Sequence, residues 1–182
     1  MGKKLLIVID MQQDFTYGAL KNQAAIDIIP AVLQKTEQFE GEVIFTKDTH
    51  TANYLSTQEG RRLPVPHCIQ GTPGWDLVAP LEQFCQKHSC KVYCKPSFGS
   101  TGLAHALAAA HCAEPYEQIQ LVGVCTDICV ISNALLLKAA LPEVPIAVDA
   151  ACCAGVTPES HRTALAAMKS CQITVEQEAL PL

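Results

Sequence analysis

The sequence predicts a three-layer α/β domain, a mainly parallel six-stranded sheet with helices on both faces. Two observations carry that expectation. Six short apolar runs, at residues 5–9, 43–46, 91–94, 119–124, 146–148 and 173–176, alternate with segments of helical periodicity, the rhythm of successive β-α-β units. The chain also has a suitable size and polarity: of its 182 residues, 49% are hydrophobic and only 17% charged, far from the composition of disordered chains. Because ~100 to 200 residues normally fold around one core, residues 1–182 are expected to form a single domain.

Taken in order, the run at 5–9 is apolar at every position, as a strand covered on both faces requires. Ile29, Val32, Leu33, Thr36 and Phe39 then follow helical spacing, with Pro30 acceptable in a first turn. After the second strand the rhythm stops: residues 47–75 show neither strand nor helix pattern and contain Pro64, Pro66 and Pro73. A loop this long inside a compact domain is usually functional. Behind the strand at 91–94, Leu103, Leu107 and Ala110 mark a second helix. Val130, Ala134 and Leu137 mark a third after the strand at 119–124. Following the strand at 146–148, Thr157-Pro158-Glu159 reads as an N-cap, a proline at the first helical position and a first-turn acid. That helix has Leu165 and Met168 on its apolar side and leads to the strand at 173–176.

Composition narrows the partners. The net charge is −5, and no basic cluster exceeds the pair Arg61-Arg62, so neither nucleic acid nor an anionic membrane is expected. The apolar run before Asp10 is too short for a signal-peptide core, and none approaches the ~18 to 20 residues that span a bilayer. A soluble, cytoplasmic protein with a small-molecule partner is the expectation, and a homo-oligomer is left open. Ten cysteines without a CxxC pair suit a reducing compartment better than a disulfide framework. Nine are read as small buried hydrophobes.

The tenth is Cys129. It lies where the strand at 119–124 turns abruptly into a helix that Thr126 or Asp127 can cap, which puts the sulfur in a first turn. Free N–H groups and the helix dipole favour a thiolate there and could also bind an oxyanion; a buried core cysteine is the equal alternative. Asp10 ends the first strand, where partial burial can lift a carboxylate toward the range of a general base; a turn or cap aspartate is the alternative. Lys95 ends the third strand before Pro96 and, taken alone, could be a solvated lysine. Asp48 and His50 share one side of an extended segment, and Glu59 and His67 follow in the loop. Such a set suits Zn²⁺, Fe²⁺ or Mn²⁺ in an open site. In open α/β sheets ligands bind beyond the carboxyl ends of the strands, so these residues should converge.

The combination says more than its parts. Ile7-Val-Ile-Asp-Met-Gln-Gln-Asp-Phe15, Thr46-Lys-Asp-Thr-His50, Leu63-Pro-Val-Pro-His-Cys68 with Gly71-Thr-Pro-Gly-Trp75, Lys95, and Gly123-Val-Cys-Thr-Asp-Ile-Cys-Val130 occur in one collinear order. In this the whole chain resembles the isochorismatase-like cysteine hydrolases, and among them the nicotinamidases. The resemblance implies an isochorismatase-like fold and a triad of Asp10 as base, Lys95 as linking charge and Cys129 as nucleophile. It also implies an oxyanion hole from the N–H groups of Cys125 and Cys129, with a cis peptide between Val124 and Cys125. Asp48, His50 and His67 would hold one divalent metal, zinc first, with Glu59 as a direct or water-mediated fourth ligand. Phe15 and Trp75 would face a flat ring, with Phe98 as a further candidate. The activity implied is hydrolysis of nicotinamide in NAD salvage. Another amidase of the family, acting on a carbamoyl or ureido compound, is the rival; such enzymes generally lack the metal-binding loop.

Overall fold

The computed structural model describes residues 2–177. Its strands are β1 (Lys3–Ile9), β2 (Glu42–Asp48), β3 (Lys91–Lys95), β4 (Tyr116–Val124), β5 (Ile146–Ala154) and β6 (Thr174–Glu176). They form one sheet in the order β3-β2-β1-β4-β5-β6, with every pair parallel. The helices are α1 (Gln13–Thr16), α2 (Gln23–Asp27), α3 (Ile29–Gln38), α4 (Gln58–Arg62), α5 (Ala79–Lys87), α6 (Thr101–Ala113), α7 (Ile131–Ala140) and α8 (Pro158–Ser170). The sheet thus matches the expected α/β class. Among the described residues no helix is long and apolar enough to cross a membrane.

Alternation along β1 builds two cores. Leu5, Ile7 and Ile9 pack on one face with Leu103 of α6, Leu137 of α7 and Met168 of α8. Leu6 and Val8 pack on the other with Val32 of α3 and Leu81 of α5. Successive strand residues point to opposite faces, so a strand that feeds two cores must be apolar throughout. Thr157 caps α8 as its sequence predicts, with its Oγ1 accepting from the Ser160 N–H at 3.0 Å, and Ser160 completes a capping box.

Several expectations need correction. β5 runs six residues beyond Val148, because Asp149, which interrupts the apolar pattern, is buried and neutralised by Lys35 at 2.8 Å. The stretch 47–75 is not without structure: α4 and the 3₁₀ turns Tyr54–Ser56 and Pro73–Trp75 lie inside it. α5 follows with a stripe the apolar spacing did not reveal. Cys94, Cys112 and Cys171 are exposed rather than buried, Cys94 because β3 is an edge strand.

The sheet order reverses direction between β1 and β4, and a crevice opens at such a switch point. Ile9 lies beside Gly123 there, and a Cβ on Gly123 (φ +114) would meet the Ile9 carbonyl oxygen at 2.1 Å. Only glycine lets β4 approach β1 so closely just before the turn that carries Cys129.

Candidate active site

Three strand ends deliver three functional groups. Asp10 follows β1 with a left-handed φ of 49°, a conformation aspartate tolerates better than most side chains. Lys95 ends β3 in register with Asp48 of β2. The Lys95 ammonium lies 2.6 Å from Asp10 Oδ2, 3.4 Å from Cys129 Sγ and 3.3 Å from Asp48 Oδ1, and it donates to the Ser97 carbonyl at 3.2 Å. Asp10 and Lys95 are both 0% exposed. The solvated-lysine alternative therefore does not describe Lys95. Thr46 completes the group: its hydroxyl donates to Asp10 Oδ1 at 2.6 Å and accepts the Asp10 N–H at 3.2 Å.

Burial and charge set the protonation states. Burial is the main force lifting the Asp10 carboxyl above its ordinary value, only partly offset by Lys95. For Lys95, burial works against the ammonium, but the neighbouring negative charge, that of Asp10 first, outweighs it and holds the group cationic. Burial, then the neighbouring Asp10 charge, pushes the Cys129 thiol well up. Both influences work against the thiolate expected from a helix first turn. Residues Thr126–Val130 form a π-helical turn before α7, in which the Cys125 carbonyl accepts the Val130 N–H at 3.0 Å. Neither Thr126 nor Asp127 caps α7. Thr126 Oγ1 pairs with His161 Nδ1 at 2.8 Å, and the Asp127 carboxylate accepts the Val156 N–H at 3.0 Å. The peptide between Val124 and Cys125 is cis, as the family resemblance implied.

Beside this triad, one ligand atom each from Asp48, His50, Glu59 and His67 lie within 4.8 Å of one another. His67 Nδ1 pairs with the Val65 carbonyl at 2.9 Å, which turns its Nε2 toward the cluster. His50 Nε2 is buried, 3.0 Å from Asp48 Oδ2, yet makes no hydrogen bond among the described residues. A buried ring nitrogen left without a hydrogen bond among two carboxylates and a second imidazole fits a divalent transition metal. Tyr54 packs its ring edge-on against both imidazoles, at 4.7 and 5.0 Å. Nothing in the local sequence announced it.

The first motif now has a reason at each position. Asp10 supplies the carboxylate. The Gln12 side chain donates to the Asp48 and Trp75 carbonyls, both at 2.9 Å, and accepts the Asp48 N–H at 2.7 Å, fixing the strand end that bears the metal-type ligands. Asp14 accepts the Cys68 N–H at 2.7 Å and so anchors the segment next to His67. Phe15 packs edge-on against His67 with centroids 5.7 Å apart.

Phe15, Leu63, Phe98 and Cys125 line a cavity of about 620 Å³ that also reaches Cys129 and the four metal-type ligands. A larger groove of about 920 Å³, at the starts of β2 and β3, holds none of these groups. Trp75 does not line the site cavity. Its ring faces Lys47, whose ammonium lies 3.9 Å from the centroid, and its indole N–H donates to Thr49 at 2.9 Å. Its aromatic surface is thus spent on packing, while Leu63 and the further candidate Phe98 do line the cavity.

A buried thiol beside a carboxylate and a lysine, at the carboxyl ends of a parallel sheet, is equipped for nucleophilic hydrolysis through a covalent intermediate. The chain belongs to the isochorismatase domain family, whose match covers residues 4–179. It is 34% identical over 146 residues to the uncharacterized isochorismatase family protein PncA of Bacillus subtilis, covering 73% of this chain and 77% of that protein. The crystal structure of nicotinamidase/pyrazinamidase PncA from Bacillus subtilis superimposes with a TM-score of 0.83 at 30% identity, covering 96% of this chain and 100% of the other. Pyrazinamidase of Pyrococcus horikoshii in complex with zinc gives 0.77 at 28% identity, covering 97% and 99%.

Proposed function

We propose that this protein is a nicotinamidase, converting nicotinamide and water to nicotinate and ammonia. The observation that carries the proposal is the buried Lys95 ammonium, which bridges Asp10 (2.6 Å) and Cys129 (3.4 Å), the latter lining the same cavity as Asp48, His50, Glu59 and His67. The names of the two superimposed relatives support the same substrate class.

In this reading Asp10 takes the Cys129 proton as the sulfur attacks the carboxamide carbon. Apart from Lys95, Asp10 Oδ2 has no hydrogen-bond partner among the described residues, which leaves it open to that proton. The N–H groups of Cys125 and Cys129 hold the resulting oxyanion. As the C–N bond breaks, Asp10 returns the proton to the departing ammonia. It then deprotonates a water that attacks the thioester, and the C–S bond breaks to release nicotinate and restore the thiol. Lys95 keeps the carboxylate ionised and offsets the negative charge that moves between sulfur and oxygen. Phe15 and Phe98 contact the ring. Asp48, His50, Glu59 and His67 would hold one divalent ion, zinc by likeness to the Pyrococcus protein, supplying a Lewis-acid position that can take the pyridine nitrogen. The reaction fits a role in NAD salvage. Ten free thiols favour the cytoplasm, and two cores on one sheet favour a single domain over 1–182.

Ammonia release from nicotinamide and benzamide, with metal analysis of the same sample, tests this. Strong preference for nicotinamide with one bound ion per chain is expected. Equal rates on both amides with the ion bound would move the assignment to the carbamoyl and ureido amidases.

A further inference from the structure

Asn133 lies in the first turn of α7, buried, four residues after the nucleophile. Its side chain makes three hydrogen bonds. Nδ2 donates to the Cys129 carbonyl at 2.8 Å and to the Phe98 carbonyl at 3.1 Å, and Oδ1 accepts the Ser100 N–H at 3.0 Å. A primary amide has two donor hydrogens and an acceptor oxygen; here both donors and the oxygen are engaged, across 4, 35 and 33 residues of sequence. One end of this fork is the backbone of Cys129. The other end is the loop at 96–100 between β3 and α6.

That loop brings Pro96, Ser97 and Phe98 into the site cavity. Phe98 is 45% exposed, so its own packing restrains it little and its backbone must place it. Two features do so. The loop lies directly on α7, where a Cβ on Gly99 would meet Leu136 Cδ1 at 2.6 Å and Ser132 Cβ at 3.3 Å. Asn133 then ties Phe98 and Ser100 to the helix, and Ser100 in turn caps α6 by accepting the Leu103 N–H at 3.0 Å. Lys95 provides a second link, from the Ser97 carbonyl to the Cys129 sulfur.

We propose that Asn133 is a positioning residue that fixes the Phe98 wall of the cavity relative to the nucleophile, and so sets how tightly the ring of the amide substrate is held. The inference rests on the nicotinamidase reading above. It assigns Asn133 to ring binding rather than to the chemical step.

Asn133→Ser separates the two ends of the fork. A serine hydroxyl in a helix can donate to the carbonyl four residues back, which keeps the Cys129 contact and removes both loop bonds. KM for nicotinamide should rise about 5- to 10-fold, as expected for two lost neutral hydrogen bonds, with kcat changed no more than about 2-fold. Nicotinate should weaken as a competitive inhibitor by the same factor. Phe98→Ala should raise KM similarly, and the double variant should be no worse than the poorer single one, because both release the same wall. A residue that served stability alone would lower the melting temperature and the active fraction without moving KM or nicotinate inhibition. Unchanged KM in Asn133→Ser, or full additivity with Phe98→Ala, would overturn the proposal. Should the serine variant not fold, Asn133→Thr carries the same test, and failure of both to fold would make Asn133 a stability residue. Inactivity of the wild-type enzyme on nicotinamide would instead sink the underlying functional reading.

Discussion

Replacing Lys95 by methionine keeps a side chain of similar length and removes the cation shared by Asp10, Asp48 and Cys129. Two buried carboxylates would then face each other's charge without it. Removing one partner of a buried ion pair costs about 3 to 5 kcal/mol. Asp10 can avoid part of that cost by keeping its proton, but a protonated Asp10 cannot receive the proton of Cys129. The same energy, read as lost transition-state stabilisation, lowers kcat/KM about 10²- to 10⁴-fold near neutral pH. The pH profile should move as well. Asp10 works as a base only when ionised, so activity is lost as pH falls through its pKa. Burial already holds that pKa above the usual aspartate value, and Lys95 is the strongest influence lowering it; without Lys95 the acidic limb must shift to higher pH. Ammonia release measured across pH for both proteins gives the two quantities together. A variant within 10-fold of wild type, or an acidic limb moved to lower pH, would refute this account of Lys95.

Two further outcomes follow from the geometry. His50→Ala should lose the bound ion and bring nicotinamide hydrolysis down toward the benzamide level with the fold intact, as read by metal analysis, ammonia release and circular dichroism; retained metal and retained preference would exclude His50 as a ligand. Gly123→Ala should destabilise the fold by about 1 to 3 kcal/mol or more, because its Cβ meets the Ile9 carbonyl oxygen at 2.1 Å at a positive φ. Denaturant unfolding checks this, and an unchanged midpoint would contradict the close approach of β4 to β1.

How much of this was legible depended on the range of the interactions involved. Asp10, Lys95 and Cys129 could be found because each follows an apolar run, and strand ends on one side of a parallel sheet must converge. Asp48, His50, Glu59 and His67 could be found because their donor types fit one kind of ion. Thr46 and Gln12 stood in the motifs without a role and Asn133 stood outside them: partners 33 to 63 residues away set what each does, and a buried amide or hydroxyl looks like any other in sequence. Tyr54 was hidden for the same reason, since its value lies in packing on two imidazoles brought together by the fold. β5 was cut short because Asp149 reads as a strand breaker until Lys35, 114 residues away, neutralises it. Helix-dipole reasoning at Cys129 left out the depth of burial and the nearby Asp10 charge, both of which push the thiol up. Trp75 was misplaced because its role was carried over from the family resemblance, whereas Lys47 and Thr49 occupy its ring and its indole N–H.

In the proposed reaction catalysis passes through a thioester on Cys129. Rapid acid quenching of the enzyme during turnover of nicotinamide, followed by peptide mass spectrometry, tests it most directly. A nicotinoyl group is expected on the peptide containing Cys129, released by hydroxylamine and absent from Cys129→Ala, which should bind nicotinate but not turn over nicotinamide. Turnover with the label on another residue, or a Cys129→Ala enzyme that still releases ammonia at a comparable rate, would contradict it.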